Sequence, residues 1–172
     1  MRLLAVATCA AIAAVAPSAA AAPARSVPIR PGVGIGPINL GMTGAQVYRA
    51  LGRPRTVVER RTIGGGPYVE FEYGYGLWTV GLYGRKGERR VVLVLTALAR
   101  HRTPLGIGVG TPIRQVERRM GDVRRRLCDA RGTWINWYLR QGNKELVFHP
   151  GGHPTEVVAV DVRTAPVLGC VT

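Results

Sequence analysis

The chain contains the stretch INLGMTGAQVYRALG at residues 38–52 and a related stretch, IGVGTPIRQVERRMG, at residues 107–121. At an offset of 69 residues, the Ile, Gly, Gln, Val, Arg and closing Gly recur at matching positions. Self-similarity at a fixed offset is the signature of an internal repeat. The sequence therefore predicts two copies of one structural module.

Each stretch has the features of a short helix. Thr43 and Thr111 are suited to the N-cap, where a side-chain oxygen accepts a backbone N–H, and Pro112 suits the first helical position. Val47 and Leu51 fall four residues apart, on one helical face. The glycines that close the stretches are typical helix-ending residues. Helices this short are unstable alone in water, so we expect each to pack on a sheet.

Runs of β-branched and aromatic residues follow each helix and are separated by glycine-rich turns. They lie at 56–62, 68–73, 77–83 and 90–98 in the first copy, and at 123–127, 133–140, 145–149 and 155–162 in the second. This pattern is typical of antiparallel meanders. The predicted fold class is α+β, with two tandem repeats (38–100 and 101–172), each a short helix packed on a four-stranded antiparallel meander sheet.

The first 22 residues resemble a secretory signal peptide. Arg2 supplies a positive charge, an apolar run follows, and small residues surround Pro17. The run is shorter than the roughly 20 residues that span a bilayer, so a retained anchor is the lesser alternative, as is lipidation at Cys9. We expect a secreted or extracytoplasmic protein with residues 1–22 removed, a Pro/Gly-rich leader at 23–37 and no transmembrane segment in the mature chain.

Cys128 and Cys170 are the two cysteines that follow this segment. An even number of cysteines in an exported chain most often indicates a disulfide, so we predict that these two are bridged. A free thiol at Cys128, in the positive field of the arginines at 124–126, is the alternative.

Strand alternation assigns the side chains to two faces. The predicted helix-covered face carries apolar residues, namely Val69, Phe71, Tyr73, Trp78, Val80, Leu82, Ile135, Trp137 and Leu139. The opposite face mixes aromatic and polar residues, which is typical of a partner-binding surface. Its predicted partner-binding residues are Tyr68, Glu70, Glu72, Tyr83, Trp134, Asn136, Tyr138 and Arg140. Alternatively, the two sheets cover each other at this face.

The helical stretch also carries a family resemblance. Gly41-Met42-Thr43, Gln46-Val47 and Leu51-Gly52-Arg53-Pro54 resemble the module shared by outer-membrane assembly lipoproteins of the SmpA/OmlA type and by the β-lactamase inhibitory proteins. The resemblance covers about residues 33–163, and the tandem arrangement is similar to the inhibitory proteins in particular. It implies two sheets that form a concave, enzyme-gripping surface.

Two features depart from that family pattern. The inhibitors carry an acidic residue on a loop of the first half, whereas the matching loop here, Gly64-Gly65-Gly66-Pro67, has no acidic residue. Tyr68, next to this loop, is the one residue here that matches a contact residue type of the inhibitors. The inhibitors also have a disulfide in each half, whereas the first half here has no cysteine.

The chain is strongly basic, with a net charge of +14. Arginine dominates, and its planar guanidinium suits carboxylates and phosphates. The candidate anion-binding residues are Arg85, Lys86, Arg89, Arg90, Arg124, Arg125 and Arg126. They predict binding to an anionic polymer, a lipid surface or an acidic protein, while no motif indicates specific nucleic-acid recognition. A merely solvated basic surface is the alternative.

Several chemistries lack the residues that they need. Ser26 is the one serine after residue 22 and precedes the first module, which excludes a serine nucleophile within the modules. His149 and His153 bracket a turn, but with Glu156 alone nearby they fall short of a zinc site. Glu70 and Glu72 are spaced for acid–base work, yet exposed charge balance explains them as well.

We therefore expect no catalytic site, metal or cofactor. The predicted function is a secreted, non-enzymatic and inhibitor-like module that binds an extracellular or envelope protein through uncovered sheet faces. The alternative is a basic envelope-associated protein that binds an anionic polymer or lipid surface through its arginine clusters.

Overall fold

The computed structural model describes residues 26–61, 66–127, 135–151 and 156–164. This part of the chain contains two helices, α1 (Gly44–Leu51) and α2 (Ile113–Met120). Its strands are β1 (Val27–Arg30), β2 (Gly34–Ile35), β3 (Ile38–Asn39), β4 (Thr56–Arg61), β5 (Pro67–Tyr73), β6 (Trp78–Tyr83), β7 (Arg90–Thr96), β8 (His101–Arg102), β9 (Arg124–Leu127), β10 (Ile135–Gln141), β11 (Lys144–Pro150) and β12 (Val157–Thr164).

Eight of these strands form one continuous sheet in the order β4-β5-β6-β7-β12-β11-β10-β9. Every neighbouring pair in it is antiparallel. The central pair is β7–β12, whose register runs from Val160 opposite Thr96 to Arg163 opposite Leu93. Strands from the two halves of the chain therefore share one hydrogen-bonded ladder.

The predicted fold class, two tandem repeats each with its own helix and four-stranded sheet, is wrong. The described residues are mostly β, with 52% strand and 13% helix, and their strands form sheets of eight and four. The physical reason lies in β7 and β12, which are apolar strands. As sheet edges they would expose unpaired backbone N–H and C=O groups, and pairing with each other satisfies those groups.

The second sheet has four short strands in the order β3-β2-β1-β8. Its strands β1 and β2 lie within the segment predicted as a leader at 23–37, where Ile29 and Ile35 bury their side chains completely. Close approach of β2 to β3 requires glycine, since a Cβ at Gly34 would collide with the carbonyl oxygen of Ile38. The predicted domain boundaries at residues 22, 37 and 100 stay predictions.

The two helix starts differ. At α1, Gln46 N–H donates to Thr43 Oγ1 (3.2 Å) and Thr43 N–H donates to Gln46 Oε1 (2.7 Å), which confirms Thr43 as the N-cap of a capping box. At α2 the N-cap is Pro112, with no side-chain cap, so the predicted cap Thr111 is wrong. The Thr111 hydroxyl instead accepts the N–H of Gly108 at 3.0 Å and stabilises the preceding turn.

The main core lies on one face of the eight-stranded sheet, here called the covered face. Both helices and the small sheet pack there, contributing Val47, Val116, Ile29, Ile35 and Ile38 to a single buried cluster. The strands contribute buried Val69, Phe71, Val80, Leu82 and Trp137, which confirms their predicted face, along with partly buried Tyr73, Trp78, Ile135 and Leu139. Among the described residues, neither helix has the length and hydropathy needed to cross a membrane.

Candidate binding face

The opposite side of the eight-stranded sheet, here called the open face, is crossed by rows of paired residues. The cross-strand register aligns one row over all eight strands, namely Thr56, Glu72, Thr79, Leu95, Asp161, Val147, Tyr138 and Arg124. With strands roughly 4.8 Å apart, this row is about 34 Å long. Within the described ranges, the buried apolar cluster on this side holds only sheet residues: Tyr68 and Leu93, with Val92 and Leu95 beside them.

The centre of the open face is charged and buried at the same time. Glu145, Asp161 and Arg163 are each 1% exposed or less. Arg163 Nε lies 3.1 Å from Asp161 Oδ1 and 3.9 Å from Glu145 Oε2, and Arg140 Nε lies 4.0 Å from Glu145 Oε1. Opposite charges placed directly across antiparallel strands stabilise the pairing. These four side chains form a charge network that spans β10, β11 and β12.

His149 extends this charge network. Its Nε2 lies 2.6 Å from Asp161 Oδ2, and its side chain is mostly buried. Each charge taken out of water costs several kcal/mol unless it is paired. Displacing one member of the network would therefore leave another buried charge unpaired. The network therefore gives the middle of the open face a fixed arrangement of charge.

Tyr68 and Tyr83 form the aromatic part of the open face in the first half of the chain. Tyr68 is 4% exposed and lies across Gly81, where a Cβ would collide with its hydroxyl. Tyr83, paired opposite Tyr68, is 36% exposed and lies against Gly66. Tyr68 is therefore a packed part of the sheet surface, and Tyr83 is available for contact.

Eight partner-binding residues were predicted from the sequence, and the seven that lie in the described ranges are all on the open face, because the sheet is continuous. Glu70, Glu72 and Tyr138 are half-buried and Arg140 is exposed. Asn136, like Tyr68, is buried and therefore a poor anchor. The eighth predicted residue, Trp134, lies outside the described residues.

Sequence reasoning missed the charge network. A signal was present in β12, where Asp161 and Arg163 interrupt an otherwise apolar strand two residues apart, on one face. Glu145 and His149 are four residues apart in β11, so they also lie on one face of their strand. Charges at alternating positions of a strand with apolar residues between them indicate a paired network across neighbouring strands.

The predicted anion-binding residues do not form one patch. Arg85 and Lys86 are exposed in the β6–β7 hairpin, and Arg90 is exposed on the open face opposite Tyr83. Arg89 is half-buried and its Nη2 lies 3.5 Å from Glu59 Oε1. In the order of the sheet, β12, β11 and β10 separate this hairpin from the second predicted cluster, on β9.

The cluster on β9 is divided by strand alternation. Arg124 pairs across from Tyr138 on the open face. Arg125 points to the covered side, where its Nη2 lies 3.3 Å from Glu117 Oε1 and its guanidinium stands 5.8 Å from the centre of the Trp137 ring. Arg126 pairs with Asn136 in the register, but its side chain is outside the described part. Adjacent arginines on a strand therefore cannot act as one site.

Other predicted sites fall outside the described residues. These are the signal peptide at 1–22, the disulfide pair Cys128 and Cys170, and His153. Within the ranges that the structure describes, no group of three or more His, Cys, Asp or Glu side chains is arranged to hold a metal ion.

No family model and no curated protein matches the chain. Among solved structures it is similar to an extracellular protein containing a SCP domain from Bacillus anthracis str. Ames, with 15% identity, a TM-score of 0.51 and coverage of 73% of this chain. The chain spans 44% of the length of that protein.

A second likeness is to the uncharacterized protein yfeY from Escherichia coli, with 13% identity, a TM-score of 0.50 and coverage of 80% of this chain and 99% of that one. A DUF4309 family protein (YjgB) from Bacillus subtilis subsp. subtilis str. 168 has 20% identity, a TM-score of 0.45 and coverage of 71% and 78%. The resemblance to inhibitory proteins and SmpA/OmlA lipoproteins stays a prediction. At these identities, the likenesses with TM-scores of 0.50 and 0.51 show a shared fold and nothing further.

Proposed function

We propose that the chain is an extracytoplasmic, non-enzymatic binding protein that docks an acidic partner protein on its open face. The observation that carries this proposal is a sheet face that extends across eight strands. The described helices and the small sheet lie on the other side of the sheet and do not cover this face. Tyrosine and arginine side chains are exposed on it, next to carboxylates. Tyrosine and arginine are enriched among the residues that contribute most to protein–protein affinity.

The size of the open face fits such a partner. Its rows are about 34 Å long, and three rows at about 7 Å spacing along the strands give a surface of roughly 700 Å². A standard protein–protein interface buries about 800 Å² on each partner. The outline of the face is therefore close in area to one side of a standard interface.

Charge supports an acidic partner. Arg90, Arg124 and Arg140 are exposed on the face, on β7, β9 and β10, and the whole chain carries a net charge of +14. A positive field steers negatively charged partners and raises their association rate. The buried charge network supplies a fixed pattern that distinguishes a matching partner from a merely acidic one.

The experiment uses the full chain as immobilised bait in envelope and culture-medium extracts, eluted in steps of salt. We expect a protein that stays bound above about 0.5 M salt, where charge attraction between exposed groups is heavily screened. The double variant Tyr83→Ala, Tyr138→Ala should lose that protein while its melting temperature stays close to that of the parent. Tyr75→Ala, which removes a tyrosine from the β5–β6 turn, is the matched control and should retain it.

Equal retention of the protein by the double tyrosine variant would overturn the proposal. The same experiment tests the alternative function, binding of an anionic polymer through arginine clusters. That function predicts acidic polymer eluting at low salt from parent and tyrosine variant alike. Its support is reduced by Arg89 and Arg125, which already pair with Glu59 and Glu117.

A further inference from the structure

A pocket of about 310 Å³ lies on the covered side of the sheet, where α1 ends beside the β5–β6 turn. Its lining residues are Leu51, Tyr73, Gly74, Leu77, Trp78, Leu98 and Arg100. All of them belong to the described ranges. The lining is mainly apolar and aromatic, which is the usual composition of small-molecule sites, and the volume is at the lower end of their range of about 300–1,000 Å³.

Trp78 lines the pocket with its indole ring. Its indole Nε1 is buried and has no hydrogen-bond partner among the described residues. Its ring makes an edge contact with His101, with ring centres 5.0 Å apart, which holds the indole in one orientation. The indole ring therefore forms a fixed wall of the pocket.

Arg100 provides the charge at the rim of the pocket. It is exposed, it is the one charged residue in the lining, and no ion pair to it is found in the described part of the chain. A second cation is near, because Arg55 stands 3.8 Å above the ring of Tyr75, in the turn between Gly74 and Leu77. The local charge therefore favours an anionic ligand.

The phenol of Tyr73 carries no negative charge that would repel an anionic ligand. Its hydroxyl donates to the carbonyl oxygen of Gly52 at 3.3 Å. Burial, together with the nearby Tyr48, raises the pKa of Tyr73 to about 12, so the phenol is neutral at physiological pH. Tyr75 adds a second unusual feature beside the pocket, because it is 81% exposed and has a φ of 60°. A bulky residue in this left-handed region is strained.

We propose that this pocket binds a small organic carboxylate with an aromatic or branched apolar body. The apolar body fills the space between Tyr73, Trp78 and the leucines, and the carboxylate faces Arg100. This site is on the side of the sheet opposite the open face, so the proposal does not depend on the proposed function.

The test titrates 3-phenylpropionate into the full chain labelled with ¹⁵N, and follows the indole N–H signal of Trp78, assigned through a Trp78→Phe variant. We expect a saturable shift of that signal. Arg100→Gln should weaken binding about five-fold or more, because a charge-assisted hydrogen bond is lost. Arg53→Gln, which removes an exposed arginine outside the lining, is the matched control and should bind as the parent does.

The neutral analogue 3-phenylpropanamide separates charge recognition from apolar burial. It should bind the parent about five-fold more weakly than the acid does, and bind parent and Arg100→Gln equally. Either an unmoved Trp78 signal or equal affinity for acid and amide would overturn the proposal. The Tyr83→Ala, Tyr138→Ala variant should bind the acid normally, so failure here and failure of the proposed function can be told apart.

Discussion

The two faces of the eight-stranded sheet reach similar burial with opposite chemistry. On the covered face, Phe148 and Val160 are fully buried beneath the helices and the small sheet. On the open face, Asp161 and Arg163 are buried just as deeply without any described helix over them. Charge is tolerated there because Arg163 lies beside Asp161 on β12 and directly opposite Glu145 on β11.

This difference indicates separate roles. Apolar burial on the covered face is non-directional and contributes most of the folding free energy. Charge pairs contribute little net stability, but they impose geometry, because a misplaced partner leaves a buried charge uncompensated. We infer that the covered face holds the fold together and that the open face holds a defined charge pattern.

The sharpest test compares two leucines of equal burial on opposite faces. Leu146 is 1% exposed within the main core, and Leu93 is 2% exposed within the small cluster around Tyr68. We expect Leu146→Ala to lower the free energy of unfolding by about 4 kcal/mol, and Leu93→Ala by about 2 kcal/mol, because the cavity on the open face can collapse. Urea denaturation measures both. Equal losses would mean that the faces are packed alike.

The charge network is tested by Arg163→Met, which keeps the length of the side chain and removes its charge. Asp161 and Glu145 then lack that countercharge in a buried position, and we expect a loss of about 3 kcal/mol in unfolding free energy. Arg163→Lys serves as the control and should lose less, since it keeps the positive charge. A loss below about 1 kcal/mol for the methionine variant would show that the network is hydrated.

The buried His101 on the covered side predicts a pH dependence. Burial, and secondarily Arg100, lowers its pKa to about 4. Between about pH 6.5 and pH 4 the imidazole of His101 is protonated in the unfolded chain and neutral in the folded chain. The free energy of unfolding therefore falls by roughly 2–3 kcal/mol as the pH decreases through this range.

Chemical denaturation at pH 7 and pH 4.5 checks this pH dependence. In His101→Phe the stability difference between the two pH values should shrink, whereas the carboxylates contribute to acid sensitivity in both proteins. An unchanged difference would show that His101 is protonated in the folded state.

The smallest effect is expected at Gly81. A methyl group there collides with the hydroxyl of Tyr68, so Gly81→Ala should displace that ring from the open face and cost about 1–2 kcal/mol. In a Tyr68→Ala background the same substitution should cost little, and the double-mutant cycle measures the coupling. If the losses in unfolding free energy of Gly81→Ala and Tyr68→Ala are additive in the double variant, the effect of Gly81→Ala comes from the backbone of β6 and not from the Tyr68 ring.

Local features of the fold were readable from the sequence. The N-cap at Thr43, the end of α1 at Gly52 and the alternation that buries Val69 and Phe71 all depend on residues within a few positions of each other. The N-cap of α2 was misplaced by one residue, because Pro112 fits the cap conformation itself.

The candidate site was readable only in part. Alternation assigned Tyr83, Glu70 and Tyr138 to a common side of their strands, and the structure joins these sides into one face. The burial of Tyr68 was missed because it depends on Gly81 across the strand pair. The charge network was missed because its members come from three strands whose register the sequence does not state.

The sequence by itself determined where the two helices and the eight strands of the large sheet form, which side chains alternate together and how strongly basic the chain is, because these follow from short-range periodicity and composition. Only the tertiary structure decided that β7 pairs with β12 and that three strands before the first helix join β8 in a second sheet. Both depend on backbone hydrogen bonds and apolar contacts between distant segments, and such contacts leave no periodic trace in either segment alone.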